Sequence, residues 1–304
     1  MRRLHYHLVD VFTDRAFGGN PLAVFTNGRG VSAETMQAIA KEFNLSETTF
    51  VLPPDDPAHD WRVRIFTPGS ELPMAGHPTV GTSFVLAREH LVETKQDGEV
   101  LITLEEGVGP VPVRLEFEAG LPAYAEMSQP LPTFGPRFKD PKAIADMLSL
   151  EVADVTNTGL PYEVVSCGVP FLFVCVQGLE QMRRIRFRTD VFERVAAEVG
   201  VPGLFVFARE VESLEAQIHS RMFAPGAGIL EDPATGGASG PLGCFLFRHG
   251  AVSRRAPVNF VSEQGIEMGR PSYIRIKIEH EGDEITGVKV GGKCHYMGEG
   301  FIEV

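Results

Sequence analysis

Three side chains in this 304-residue sequence have types and settings suited to moving protons: Glu47, His77 and Asp232. His77 precedes Pro78 and Asp232 precedes Pro233. Proline favours the first position of a helix, so each pair reads as a cap followed by a helix that starts at the proline. Asp is a preferred cap in any protein, and Asp140-Pro141 opens a helix here in the same way. Imidazole is not a favoured cap, which singles out His77. A helix start offers backbone N–H groups and a partial positive charge, which together suit a carboxylate. Gly76 before the first cap, and Gly236 and Gly237 at the opening of the second helix, would let a ligand approach the backbone closely. Glu47 stands in Asn44-Leu45-Ser46-Glu47-Thr48-Thr49-Phe50, just ahead of a strand. A carboxyl there can serve as a general acid and base, although a Glu in a turn is more commonly just solvated.

These residues sit on a repeated frame. Gly19-Asn20-Pro21-Leu22-Ala23-Val24-Phe25 matches Gly168-Val169-Pro170-Phe171-Leu172-Phe173-Val174 at an offset of 149. Arg64-Ile65-Phe66-Thr67-Pro68-Gly69 matches Arg221-Met222-Phe223-Ala224-Pro225-Gly226 at 157, and His77-Pro78-Thr79-Val80-Gly81 matches Asp232-Pro233-Ala234-Thr235-Gly236 at 155. Three collinear matches predict two halves on one plan. The third makes His77 and Asp232 equivalents, on helix starts expected to face each other across an interdomain cleft. Counting 17 residues back from Arg64 gives Glu47, and the same count from Arg221 gives Leu204. The acid therefore belongs to one half only, as a single general base would. Asn20, opposite Val169 in the other half, is likewise a candidate polar contact.

The elements that must position these groups follow from the spacing of apolar residues. Ser32 can cap a helix carrying Met36, Ile39, Ala40 and Phe43 on one face, and Thr189 starts its counterpart with Phe192, Val195, Ala196 and Val199. Strands are predicted near 21–25, 48–52, 61–66, 99–104 and 112–118, then near 162–166, 170–176, 204–208, 217–223 and 272–278. The stretch around Pro130, Pro132 and Pro136 reads as a linker. A second crossing is expected near Gly291-Gly292, giving domains 1–125 plus 292–304 and 126–291.

Composition excludes several partners. The formal charge is −12, which prepares no surface for nucleic acid or an anionic bilayer. The most apolar run, Val169 to Val176, is far shorter than the ~18 residues a membrane span needs. Arg2 and Arg3 lead into Val9-Asp10 rather than an apolar leader, so the expected location is the cytoplasm. The cysteines at 167, 175, 244 and 294 form no CxxC pair, so neither a metal cluster nor a disulfide framework is expected.

The runs Phe17-Gly18-Gly19-Asn20-Pro21-Leu22-Ala23-Val24-Phe25, Leu45-Ser46-Glu47-Thr48-Thr49-Phe50, Ala75-Gly76-His77-Pro78-Thr79-Val80-Gly81 and Glu231-Asp232-Pro233-Ala234-Thr235-Gly236 resemble those of the phenazine-biosynthesis PhzF family. The resemblance implies an α+β fold of two similar diaminopimelate-epimerase-like domains, each a mostly antiparallel sheet wrapped around a central helix. It implies a homodimer and isomerisation without cofactor or metal, with Glu47 transferring the proton and His77 and Asp232 assisting. The small carboxylate substrate, cyclic or unsaturated, would then be held by Asn20, Ser46, Gly76, Gly236 and Gly237. Gly237 departs from the family, where Ser is common. Racemases of this broader fold place a Cys at each helix start; none of the four cysteines falls there, so a two-thiol mechanism is not available and a cysteine-independent racemase or epimerase is one weaker alternative. A non-catalytic binding protein that keeps the fold is the other.

Overall fold

The computed structural model of the chain describes residues 2–255 and 257–304. Strands β1 (Arg3–Val11) and β2 (Asn20–Phe25) lead to helix α1 (Ala33–Phe43) and strands β3 (Glu47–Leu52), β4 (Trp61–Phe66) and β5 (Glu71–Leu72). Helix α2 (Gly76–Arg88) and strands β6 (Gly98–Glu106), β7 (Gly109–Glu118) and β8 (Leu121–Gln129) follow. Next come β9 (Thr133–Phe138), α3 (Pro141–Leu148), α4 (Val152–Thr156), β10 (Tyr162–Ser166), β11 (Pro170–Cys175), α5 (Leu179–Arg184) and α6 (Thr189–Val199). The order ends with β12 (Gly203–Ala208), β13 (Ile218–Ala224), β14 (Ile229–Asp232), α7 (Gly236–Arg248), β15 (Val258–Gln264), β16 (Ser272–Glu281), β17 (Glu284–Gly292) and β18 (Cys294–Glu303). Two compact units divide the chain: Met1–Ser128 with Lys289–Val304, and Gln129–Val288.

The units repeat one another strand for strand, and the fold is α+β. In unit 1, β1 lies antiparallel to β18 and β2, β2 parallel to β3, β3 antiparallel to β4, β4 antiparallel to β5 and parallel to β6, and β6 antiparallel to β7. In unit 2, β10 lies antiparallel to β9 and β11, β11 parallel to β12, β12 antiparallel to β13, β13 antiparallel to β14 and parallel to β15, and β15 antiparallel to β16. The sequence between Pro130 and Pro136 is therefore not only a linker. Residues from Thr133 onward form an edge strand, because Phe138 and Phe134 pair with Tyr162 and Val165.

Each unit wraps its sheet around a helix built, His77 apart, of apolar or small residues along its buried length, as an enclosed helix requires. All of α2 from Gly76 to Ala87 is buried, and all of α7 from Gly236 to Phe247. Gly81 shows why small residues are needed: a Cβ there would meet Val11 Cγ2 at 2.6 Å and Leu22 Cδ2 at 2.7 Å. The amphipathic α1 covers the other sheet face, with Met36, Ile39 and Ala40 against Phe25, Phe50 and Phe66. Ser32 caps it through the Thr35 N–H. In unit 2, α3 and α6 do the same with Ile144, Leu148, Phe192 and Val195 against Leu172 and Val206.

Pairing register corrects the third internal match. Leu72 lies opposite Ile65, and Asp232 opposite Met222. Ile65 and Met222 are equivalents, so the counterpart of Asp232 is Leu72, at an offset of 160. The helices keep that offset, starting at Gly76 and Gly236 with Ala75 and Thr235 as their cap positions. His77 is thus inside α2, Pro78 is its third residue, and His77 corresponds to Gly237. Asp232 ends β14 and caps no helix. The insertion responsible is the tight turn Pro225–Ala227 between β13 and β14.

Candidate active site

Unit 1 brings Asn20, Glu47 and His77 together. Asn20 opens β2 and Glu47 opens the neighbouring β3, where Glu47 pairs with Leu22. His77 projects from the first turn of α2. All three are buried, at 0%, 7% and 2% exposure. The Asn20 Nδ2 donates to His77 Nδ1 at 3.2 Å, and His77 Nε2 lies 3.3 Å from Glu47 Oε2. An acceptor at Nδ1 places the imidazole proton on Nε2, the nitrogen that faces Glu47. Burial pushes His77 down to about 3, so it is neutral through the physiological range. A neutral imidazole N–H beside a carboxyl can hold that carboxyl in place and respond as its proton leaves and returns.

Ser46, just before β3, is half-buried, and Gly76 is the first residue of α2. No side chain caps α2, whose cap position is Ala75.

Sheet register also refines the counterpart of Glu47. Thr48 lies opposite Phe66, and Leu204 opposite Phe223. One residue earlier, Glu47 corresponds to Gly203, not to Leu204. The carboxyl still has no equivalent in unit 2.

Unit 2 places Asp232, Gly236 and Gly237 around the start of α7. Asp232 is 3% exposed, and its Oδ2 accepts the Thr235 hydroxyl at 2.5 Å. The Gln264 amide braces this corner: Nε2 donates to the Asp232 carbonyl at 2.8 Å and to Thr235 Oγ1 at 2.9 Å, while Oε1 accepts the Thr235 N–H at 3.1 Å. No side chain caps α7 either. Gly265 must follow Gln264, because its φ is +75° and a Cβ would lie 2.5 Å from the Pro233 carbonyl oxygen.

A second device repeats in the two units. Glu105 accepts the N–H groups of Asp55 and Asp56, both at 2.7 Å, and lies 2.9 Å from His59 Nδ1. Glu263 accepts those of Glu212 and Ser213 at 2.6 and 2.9 Å and lies 2.8 Å from His219 Nδ1. The first pins the loop ahead of β4 and the second the loop ahead of its counterpart β13. The signal was present as Glu105-Glu106-Gly107 against Glu263-Gln264-Gly265, at an offset of 158.

None of Glu47, His77 and Asp232 belongs to a set of metal-ligating side chains among the described residues. His5, His7 and Glu299 do bring ligand atoms within 4.8 Å of one another. Those atoms already have partners: His5 Nε2 is 3.0 Å from Glu299, and His7 Nδ1 is 3.2 Å from the Tyr296 hydroxyl. Cys167, Cys175, Cys244 and Cys294 all lie away from the starts of α2 and α7. No helix among the described residues is long and apolar enough to cross a membrane.

The family model described as "Phenazine biosynthesis-like protein", PhzC-PhzF, matches residues 9–300. The chain belongs to this family. An uncharacterized isomerase of Mesorhizobium japonicum is 38% identical over 310 residues, covering 99% of each chain. A trans-2,3-dihydro-3-hydroxyanthranilate isomerase of Pseudomonas aeruginosa is 36% identical, over 97% of this chain and 98% of its own. Among solved structures, a PhzF-family phenazine biosynthesis protein of Bacillus anthracis superposes with a TM-score of 0.88 at 27% identity, each chain fully covered. The family's two-unit fold and its isomerase class both apply to this chain, so the non-catalytic alternative falls away.

Proposed function

We propose that this PhzF-family isomerase moves a proton between carbons of a small cyclic, unsaturated carboxylate, with Glu47 as the proton carrier and no cofactor. The observation that carries the reading is the buried Glu47–His77–Asn20 row, whose carboxyl has only Gly203 at the matching place in unit 2. One carboxyl that takes a proton from one carbon and returns it to another suits a 1,3-type shift. A racemase needs two groups on opposite faces, and no thiol stands at either helix start.

Several of the relatives act, by name, on a dihydro-hydroxyanthranilate, which is a ring carboxylate. That supports the same class here. The carboxylate would be held by N–H groups at the glycine-rich starts of α2 and α7, including Gly76, Gly236 and Gly237. Asp232 would bind a polar group of the substrate and assist the proton's movement. Asn20 fixes the His77 tautomer, His77 steadies Glu47, and Ser46 offers a hydroxyl next to it. We place the active protein in the cytoplasm as a homodimer.

The test is solvent-deuterium incorporation into a panel of cyclic unsaturated carboxylates, comparing the wild type with Glu47→Gln. General acid–base catalysis contributes about 10²–10⁴-fold, so the Gln variant should lose at least that much turnover and still bind the turned-over compound. Exchange by the variant at the wild-type rate would remove Glu47 from the mechanism. Asp232→Asn, in the same assay, should lower both turnover and affinity.

A further inference from the structure

Glu106 ends β6 inside unit 1, and its side chain is buried. It is 8% exposed, and its Oε2 is fully buried with no hydrogen-bond partner. Its Oε1 lies 2.5 Å from Thr79 Oγ1, in the first turn of α2, two residues from His77. The Thr79 hydroxyl also lies 2.7 Å from the Ala75 carbonyl oxygen. One hydroxyl proton cannot serve both acceptors.

The repeat shows how the conflict resolves. Arg62 pairs with Glu105, and its counterpart His219 pairs with Glu263. Glu106 therefore occupies the place of Gln264. Thr79 and Ala75 occupy the places of Ser239 and Thr235, and there the Ser239 hydroxyl donates to the Thr235 carbonyl at 2.8 Å. If the Thr79 hydroxyl likewise donates to Ala75, the remaining 2.5 Å contact needs a proton from Glu106. A carboxylic acid has what Gln264 uses, one donor and one acceptor on the same planar head. A carboxylate has no donor.

We infer that Glu106 is a positioning residue that acts as a neutral acid, donating to Thr79 and so bracing the start of α2 as Gln264 braces the start of α7. Among the described residues nothing charged stabilises its ionised form. From β4, Arg62 is paired with Asp55 and Arg64 with Glu71; from β7, Arg114 is paired with Glu99, Glu116 and Glu126. In the preceding loop His59 is held by Glu105; on α2, His77 is neutral and Arg88 lies over the Tyr296 ring. Burial raises the Glu106 carboxyl to about 8. The brace is thus in place at neutral pH and released in mild alkali, which loosens the turn that carries His77. The consequence for catalysis rests on the function proposed above; the brace itself does not.

The experiment uses the whole protein and three variants: Glu106→Gln, Glu106→Ala and Thr79→Val. Infrared difference spectra between pH 6 and pH 10 should show a protonated-carboxyl band disappearing with a midpoint near 8 in the wild type and absent from Glu106→Gln. Amide exchange in a peptide covering 74–81, corrected for intrinsic base catalysis, should speed up in the wild type as pH passes 8. It should stay protected in Glu106→Gln and be fast at every pH in Glu106→Ala and Thr79→Val. With a turned-over substrate, wild-type activity at pH 9 should be about tenfold below that at pH 7, and Glu106→Gln should lack this limb. Absence of the titrating band, or a Gln variant as loose as the Ala variant, overturns the inference. If Glu47→Gln is fully active while the band and the exchange behave as stated, the catalytic assignment fails and the brace stands.

Discussion

Replacing His219 with Gln tests the buried charge cluster that pins the loop ahead of β13. His219 and Glu263 are fully buried, with Glu263 2.8 Å from Nδ1 and Glu267 2.9 Å from Nε2. Burial alone would lower the imidazole, but the two carboxylates outweigh it and raise His219 to about 9. The folded chain therefore holds this proton more tightly than the unfolded chain does. The resulting stabilisation is complete below pH 6.5 and is lost as the pH climbs through 9. A rise from 6.5 to about 9 corresponds to about 3 kcal/mol.

His219→Gln keeps a polar head but carries no charge, and it leaves two carboxylates without their cation. The wild type should exceed the variant in stability by about 3 kcal/mol more at pH 6 than at pH 10. The assay is urea unfolding followed by far-ultraviolet circular dichroism at five pH values, because the single tryptophan, Trp61, reports unit 1 alone. Amide exchange in a peptide spanning 203–224 localises the effect, since Glu212 and Ser213 donate to Glu263. A stability gap that does not change between pH 6 and pH 10 would refute the reasoning.

Two further outcomes follow from buried geometry. Asn20→Leu removes the donor to His77 Nδ1 and frees the tautomer; turnover in the deuterium assay should fall at least tenfold and stability by about 1–3 kcal/mol. Gly19→Ala meets both a φ of +61° and the Val11 carbonyl oxygen, 2.3 Å from the new Cβ, so it should lower the unfolding midpoint by the equivalent of at least 1–2 kcal/mol, while Gly200→Ala, at φ +73° with open space around it, should cost less.

Much of the frame was legible because burial imposes a period. The β4 run alternates, the β11 and β12 runs are apolar after their first residue, and α1 and α6 carry their apolar residues on one face. The helix starts were misplaced because His-Pro and Asp-Pro look alike as local signals, while the true equivalence depends on a turn, Pro225–Ala227, that lengthens one half. Strand pairing, a long-range property, settles it. Glu47 was found by its asymmetry, although its counterpart was one residue off. Glu106 is not legible in the sequence, because a Glu next to a Glu, at the end of a strand, reads as a solvated pair. Only the fold shows that Glu105 faces the Asp55 and Asp56 amides while Glu106 turns toward Thr79.

β1 lies between β2 and β18, with Arg3 opposite Glu303. During vectorial synthesis, unit 1 cannot be closed until the ribosome has made the last strand, whereas unit 2 has all of 129–288 in hand earlier. Its own matching edge strand, β9, comes ahead of α3, α4 and β10. The half made second is therefore the first able to finish, and the nascent N-terminal strands wait with an open edge next to β1. Such an edge invites pairing with other chains until β18 covers it. The same arrangement ties the integrity of the Glu47 row to the far end of the chain: clipping 294–303 would strip the flank from β1, the strand whose other side holds β2 and Asn20.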